Sequence, residues 1–426
     1  MADLVLTNAA IPISMLANPA AFPTPPQGDC LIGDLYLSNR RVVQFFVQPH
    51  RAEGGATDES ATRYDLGGRI VLPRLIEPHC HLDKCHTVSR LGPVGGDLHA
   101  AIGAQNQDKA NWSAADLQLR GARGISELIA AGCHVARSHV DWSSDDIRAR
   151  RAPDAWAVLG DLAAASASQL TLQRCGLIGL DEFADLDLAE AAARIIASSP
   201  NAVLGVFSFN QANKRKLLRN AFNLASAYAL PLDFHVDEGL IAGLDGLEAI
   251  ADLALELGFT QPIVCGHACS LILRNGAELE RIIAKVAAAG INIVALPITN
   301  LYLQGREDGS PSQRGITRLR ELAAAGVNLT IGSDNVRDAF CPLGAHDPMA
   351  ALATAAIGAH LDPPYARWLP TVTTAARRAL GLVPIFVDQA NSADLLISAA
   401  RHTADLIAGA TRISLEEFLS GATPLH

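Results

Sequence analysis

"RNGAELERIIAKVAAAGINIVALPITN" runs from Arg274 to Asn300. Up to Gly290 its apolar residues recur at helical spacing, and the glycine is the usual stop beyond a helix C-terminus. From Ile291 the pattern turns into a short β-branched run that closes on polar residues, which predicts a strand. A helix that hands over to a strand with a polar far end is one unit of a βα repeat, and the same phrase recurs on both sides of it.

Upstream, the strand candidates are "CHVARSHVDW" (Cys133 to Trp142), "LTLQRCGLIG" (Leu170 to Gly179), "AVLGVFSF" (Ala202 to Phe209), "LPLDFHVDE" (Leu230 to Glu238) and "PIVCGHACS" (Pro262 to Ser270). Downstream, "RGITRLRELAAAG" (Arg314 to Gly326) predicts a helix and "VNLTIGSDN" (Val327 to Asn335) a strand. With "RIVLPRLIEPHCH" (Arg69 to His81) as the first strand there are eight units, which close most naturally into a (β/α)8 TIM barrel. In that fold functional groups gather at the C-terminal ends of the strands. The flanks, "DLVLTNAAI" (Asp3 to Ile11), "CLIGDLYLSNRRVVQFFV" (Cys30 to Val47) and "SADLLISAA" (Ser392 to Ala400), read as short strands. The expectation is a small β-domain in which the two chain ends pair: residues 1–68 and 381–426 beside a barrel over 69–380.

The bulk properties narrow the function. A net charge of −10, with Lys and Arg clustered no more densely than in "NKRK" (Asn213 to Lys216), excludes an electrostatic nucleic-acid surface. The start "MADLVLTNAAIPIS" lacks the basic and uninterrupted apolar segments of a signal peptide, and no apolar run reaches membrane-spanning length. Eight scattered cysteines in a large unsecreted chain are expected to be reduced core thiols, and the protein to be cytoplasmic.

The polar strand ends carry the chemistry. His79 and His81, two apart on a strand, face the same way, into the barrel mouth. Taken singly, each group has a bland reading. A His-x-His pair is commonly hydrogen-bonded core or polar surface, His235 a satisfied core histidine, and Glu238 a cap or ion-pair partner. But His235 ends strand five with Glu238 three residues on, His267 ends strand six, and Asp334 ends strand eight. Imidazoles and a carboxylate delivered from four separate strands to one rim suit Zn²⁺ or Fe²⁺ rather than Mg²⁺ or Ca²⁺. Cys80 alternates with the two histidines and faces away from the mouth, and Cys265 and Cys269 lack a second Cys-x-x-Cys, so these thiols read as packing. Strand four ends without a lysine to bridge two metals, which favours a single ion.

These residues resemble the amidohydrolase superfamily and, within it, the cytosine deaminase group. The match is densest over Ile291 to Gly344, in "LQGR", "RGITR" and "PLG", with "EPHCHLD", "SHVDW", "FHVDE" and the "GH" of "VCGHACS" at the corresponding strand ends. The resemblance implies metal ligation by His79, His81, His235 and Asp334, with one divalent ion per chain. It implies Glu238 as proton shuttle, His267 as a group orienting the nucleophilic water, Asp334 as both ligand and proton acceptor, and assembly as a homo-oligomer. At the position where cytosine deaminases carry a pyrimidine-gripping Gln this chain has Gly179, and Asn335 stands where they have a second Asp. Lys84, after "HLD", is similar to the lysine of relatives that hydrolyse amino-substituted triazines, and Phe340 stands where cytosine deaminases place an aromatic against the ring.

The expected activity is hydrolytic deamination of cytosine or a closely related N-heterocycle. Water acidified by the ion, its pKa lowered from near 16 toward roughly 7, would attack the amine-bearing carbon while Glu238 protonates the adjacent ring nitrogen. The alternatives are an aminohydrolase of triazines or another cyclic amidine, and a non-catalytic metal- or ligand-binding barrel. Lys84, Asn335 and Phe340 are the candidate substrate contacts, with a salt bridge to Asp83 or a neighbour as the alternative for Lys84 and plain packing for Phe340. His139 fits either a substrate contact or a structural hydrogen bond, and His86 and His99 fall in the first βα loop without an assigned role.

Overall fold

The computed structural model describes residues 3–22, 24–48, 61–92, 94–307, 310 and 313–424. Parts of the expected N-terminal span, notably 49–60, lie outside them. Fifteen strands are described. Eight form the barrel: β6 (Leu75–Cys80), β7 (Cys133–Trp142), β8 (Thr171–Gly179), β9 (Ala202–Ser208), β10 (Leu232–Val236), β11 (Ile263–His267), β12 (Asn292–Ala295) and β13 (Leu329–Ile331). Each pairs in parallel with the next, and helices cross between them, so the fold is a (β/α)8 barrel with a small β-domain.

The strand interiors read as near-continuous apolar runs because both faces are covered, one by the barrel interior and one by helices. Gly290 and Gly326, at φ 63° and 76°, stop the helices ahead of β12 and β13 as the sequence predicts. Three expectations are corrected. The strand from Ile291 ends at Ala295, because Pro297 opens a helix, Pro297–Leu303, where its missing N–H costs nothing. The helix predicted over Arg314 to Gly326 is only Leu319–Ala324. Its first half is a loop tied to the barrel, with Arg314 donating to the Leu301 carbonyl and Thr317 to that of His267.

The third correction concerns the first strand. The run from Arg69 to His81 is two strands in two sheets. β5 (Val71–Pro73) pairs antiparallel with β14 (Leu395–Ser398), which also pairs with β15 (Arg412–Ser414), and β6 alone enters the barrel. The N-terminal strands β1 (Leu4–Pro12), β2 (Cys30–Ser38), β3 (Arg41–Val47) and β4 (Thr62–Asp65) form their own sheet in the order β3-β2-β1-β4. The chain ends therefore meet as adjoining sheets rather than in one, joined by bridges from Ala10 to Ile70 and from Arg41 to Asn391.

The barrel closes between β13 and β6 at the mouth. An isolated bridge links Cys80 and Asp334, and the Asp334 N–H donates to the His79 carbonyl at 2.9 Å. Fully buried Glu77 accepts from the His79 and Ser333 N–H groups at 3.0 and 3.1 Å and clasps the seam from inside. All eight cysteines are free and buried. No described helix is long and apolar enough to cross a membrane.

Candidate metal and active site

The seam places His79 and His81 beside Asp334. His81 Nε2 lies 3.2 Å from Asp334 Oδ1, and His79 Nε2 lies 3.5 Å from the same oxygen. Across the barrel His235, on β10, brings its Nε2 to 3.2 Å from His81 Nε2. Two glycines make the convergence sterically feasible: a Cβ on Gly266 would lie 3.0 Å from His79 Cε1, and one on Gly332 would lie 2.8 Å from Glu77 Oε1. Asp334 sits at φ 60° and His267 at φ 67°, left-handed conformations that cost non-glycine residues energy and turn these side chains inward.

The donor set fits a divalent transition metal, and the unmet polar groups argue for one. Both ring nitrogens of His79, Nδ1 of His81 and His235, and both carboxylate oxygens of Asp334 are buried without a hydrogen-bond partner among the described residues. Native interiors rarely leave such groups unsatisfied, and several around one point form a donor set that a cation would satisfy. Burial, reinforced by the neighbouring imidazoles, holds His79 well below the ordinary histidine range, and burial likewise depresses His81 and His235. All three are thus neutral, the form that binds metal. Burial, helped by nearby Asp338, pushes Asp334 up to about 8, a demand for positive charge that a bound cation would meet.

His139, on β7, is a fourth imidazole within the same cluster, its ring 4.0 Å from that of His79. Its Nε2 lies 3.2 Å from Asp233, which Arg137 holds at 2.6 Å, and Gln173 holds Arg137 in turn. This network backs the site from inside the barrel, yet both ring nitrogens of His139 are buried without a hydrogen-bond partner among the described residues, as at its neighbours in the cluster. Cys80, as its alternation predicts, turns away and donates to the Arg137 carbonyl.

Glu238 and His267 lie at the rim. Burial pushes the Glu238 carboxyl well above its usual range, with Asp334 adding to the rise, which favours its acid form. His267 Nε2 is 3.5 Å from Glu238 Oε2, while Nδ1 is fixed 3.0 Å from Asn300 Oδ1. Burial lowers His267 to about 4.

Outward from these groups opens a cavity of about 420 Å³. His81, His235, Glu238 and His267 line it, together with Lys84, Asn335, Phe340 and Gly179. Lys84 is ion-paired at 2.9 Å, with Asp141 rather than Asp83, and its Nζ lies 5.1 Å from the Phe340 ring centroid. Burial alone would depress the lysine, but Asp141 and Asp83 outweigh it and the ammonium stays charged. Asn335 borders the cavity and donates one of its two amide N–H groups to Asp338 at 2.7 Å. Phe340 packs on Leu98, Ala101 and Leu303 as the roof. Of the unassigned loop histidines, His99 stacks edge-on against Phe209, and His86 joins Glu127 and His346 on the outer side of the first loop.

Glu77, Asp141, Gln105, Asn300 and Asp338 were not singled out in the sequence. "SHVDW" contained Asp141, and its position two beyond a strand-end histidine was the only signal. Gln105, on the helix Leu98–Asp108, also holds that carboxylate, at 2.7 Å.

The chain matches the Amidohydrolase family over residues 163–383. It is 31% identical to the pterin deaminase of Rhizobium rhizogenes over 95% of this chain and 90% of that protein. It is 22% identical to the N-isopropylammelide isopropyl amidohydrolase of a Pseudomonas species over 87% of this chain and 90% of that one. Among solved structures, 5-methylcytosine deaminase from Klebsiella pneumoniae liganded with 5-fluorocytosine superposes with a TM-score of 0.78 at 24% identity, covering 97% of this chain and 96% of that one, a likeness of fold.

Proposed function

This chain belongs to the amidohydrolase family, and from that premise we propose that it is a metal-dependent hydrolytic deaminase of an amino-substituted N-heterocycle, with a bicyclic pterin as its favoured ring. The observation that carries the reading is the meeting of His79, His81, His235 and Asp334 next to buried Glu238 at the floor of a cavity. These four residues would hold one ion of the Zn²⁺ or Fe²⁺ class. When bound, the ion supplies a Lewis acid that makes water nucleophilic at neutral pH.

The chain's own residues do the rest. Glu238 donates its proton to the ring nitrogen beside the amine-bearing carbon, which makes that carbon electrophilic. Asp334 accepts one proton of the attacking water; the hydroxyl proton of the resulting adduct passes to Glu238 and on to the departing amine as the carbonyl forms, and the proton on Asp334 then restores the acid form of Glu238. Water's oxygen stays on the ring as a carbonyl and ammonia leaves, so atoms and charge balance. His267, held by Asn300, keeps Glu238 and the water in register. Lys84, Phe340 and Asn335 border the space the ring would take, and the Asn335 amide can hydrogen-bond its edge.

The preference for a bicyclic ring is supported by three observations. The relative at 31% identity is a pterin deaminase. The cavity lies within the range of roughly 300–1,000 Å³ common to small-molecule sites. And a Cβ on Gly179 would meet nothing within 4 Å, so the wall is open where the resembled cytosine deaminases carry a glutamine. A monocyclic oxo-ring, cytosine or an N-alkylammelide, is the second reading, favoured by the buried ammonium of Lys84, which suits an anionic ring.

Ammonia release by metal-loaded protein tests both on pterin, cytosine, 5-methylcytosine and N-isopropylammelide. The expected result is a kcat/KM for pterin at least about tenfold above the others. A larger value for cytosine would replace the ring assignment, and no ammonia or amine from any of them would return the protein to the class of binding barrels.

A further inference from the structure

The first βα loop, the loop after β13 and the helix Ala114–Ala130 meet at a second cluster outside the barrel mouth. His86 Nε2 and His346 Nδ1 both approach one oxygen of Glu127, Oε2, at 3.4 and 3.0 Å. The three donor atoms lie within 4.8 Å of one another. The His346 side chain is fully buried and that of His86 is 3% exposed, while Glu127 is open enough to solvent to admit an ion.

Four observations set this cluster apart from an ordinary ion pair. Both nitrogens of His86 and Nε2 of His346 are buried without a hydrogen-bond partner among the described residues. His86 is held at φ 60°, a conformation a histidine keeps only when its surroundings impose it. Its N–H is fixed to the Val336 carbonyl, so the strained residue belongs to a zip between the first and last loops. Space for His346 is made by Gly124, where a Cβ would come 3.1 Å from His346 Cε1. The other oxygen of Glu127 accepts from Arg123 at 3.2 Å, with Arg337 at 4.0 Å. An outer partner on one oxygen that leaves the other for a ligand is the usual way a ligating carboxylate is oriented.

We infer that His86, Glu127 and His346 form a second divalent-metal site, structural rather than catalytic, which staples the loop after β6 to the loop after β13. Two imidazoles and a carboxylate suit Zn²⁺ and its neighbours and are poorly matched to Ca²⁺ or Mg²⁺. Water would fill the remaining position on the open side of Glu127. Its consequence is mechanical: the two loops that carry Lys84 and Asn335 into the cavity are fixed to each other from outside.

The test is zinc content by elemental analysis after metal-free protein is reloaded with Zn²⁺ and desalted. Glu127→Gln and His346→Gln are each expected to hold one zinc fewer per chain than the wild type. His81→Ala loses a different ion, so the double variant His81→Ala/Glu127→Gln loses both. Zinc content unchanged in both Glu127→Gln and His346→Gln would overturn the site and leave the cluster a plain ion pair. Melting temperature guards against a folding artefact. Zinc should still raise the Tm of His81→Ala, where the mouth is disabled, and should not raise that of the double variant. A zinc response missing from His81→Ala would overturn the staple. Failure of the mouth would show only in the His81-dependent ion, so the two readings fail separately.

Discussion

The barrel has a concavity at its mouth and another at the opposite end, beside the starts of β11, β12 and β13, similar in size and opposite in character. The mouth encloses about 420 Å³, and the bottom, among Ile263, Asn292, Val327 and Asn328, about 480 Å³. At the bottom the polar groups are paired. Asn292 donates to the Ile263 carbonyl, Asn328 donates to Asn292, and Arg378, the one ionisable residue described there, donates to Asn328. At the mouth the reverse holds, with imidazole nitrogens and carboxylate oxygens buried and unpartnered among the described residues. Volume therefore does not distinguish a site from a dent. Unmet hydrogen-bonding and charge demand does, and it falls on the end of the strands where (β/α)8 enzymes carry their chemistry.

The contrast is broken most severely by removing the mouth's charge. Asp334→Ala should reduce deamination to background, a loss beyond the roughly 10²–10⁴-fold that a missing general acid costs, read as ammonia release. Glu238→Gln leaves the four donors intact and should cost about 10³-fold in kcat while metal content stays at the wild-type level. Because burial raises the Glu238 pKa, its acid form persists above the usual carboxylate range, and kcat should fall as pH rises through that pKa. The Gln variant should lack this alkaline limb; a limb that survives would assign it to another group.

Gly179→Gln sharpens the comparison by filling the open wall. It should lower kcat/KM for a bicyclic ring about tenfold and spare monocyclic rings, measured on the same panel. Arg378→Ala, at the other end, should change kcat by less than about twofold and stability by no more than about 0.5 kcal/mol in a denaturant melt. A large effect on turnover there would dissolve the distinction between the two ends.

The same contrast explains what the sequence disclosed. The strand-end residues His79, His81, His235, His267 and Asp334 were legible because period-two alternation and the polar ends of apolar runs are local signals. Lys84 and Phe340 were legible as neighbours of those motifs, although Asp141, the lysine's partner, lies 57 positions away and came only from the fold. Glu77 was invisible for a similar reason. A glutamate in an apolar strand has no local cue that it clasps the N–H of Ser333 across the barrel seam. The division of Arg69–His81 between two sheets was hidden in a run apolar on both sides of Arg74, whose guanidinium reaches the Ala393 carbonyl of the small domain. Helix and strand lengths near β12 and β13 were overestimated because tethers such as Thr317 to His267 override local propensity.

The account rests on an ion held at the mouth by residues from both sides of the barrel seam. Its most direct test is the metal content of purified wild-type protein beside His81→Ala and Asp334→Ala, by elemental analysis on folded samples. The prediction is one transition-metal ion fewer per chain in each variant than in the wild type. Equal metal content in all three proteins would contradict it.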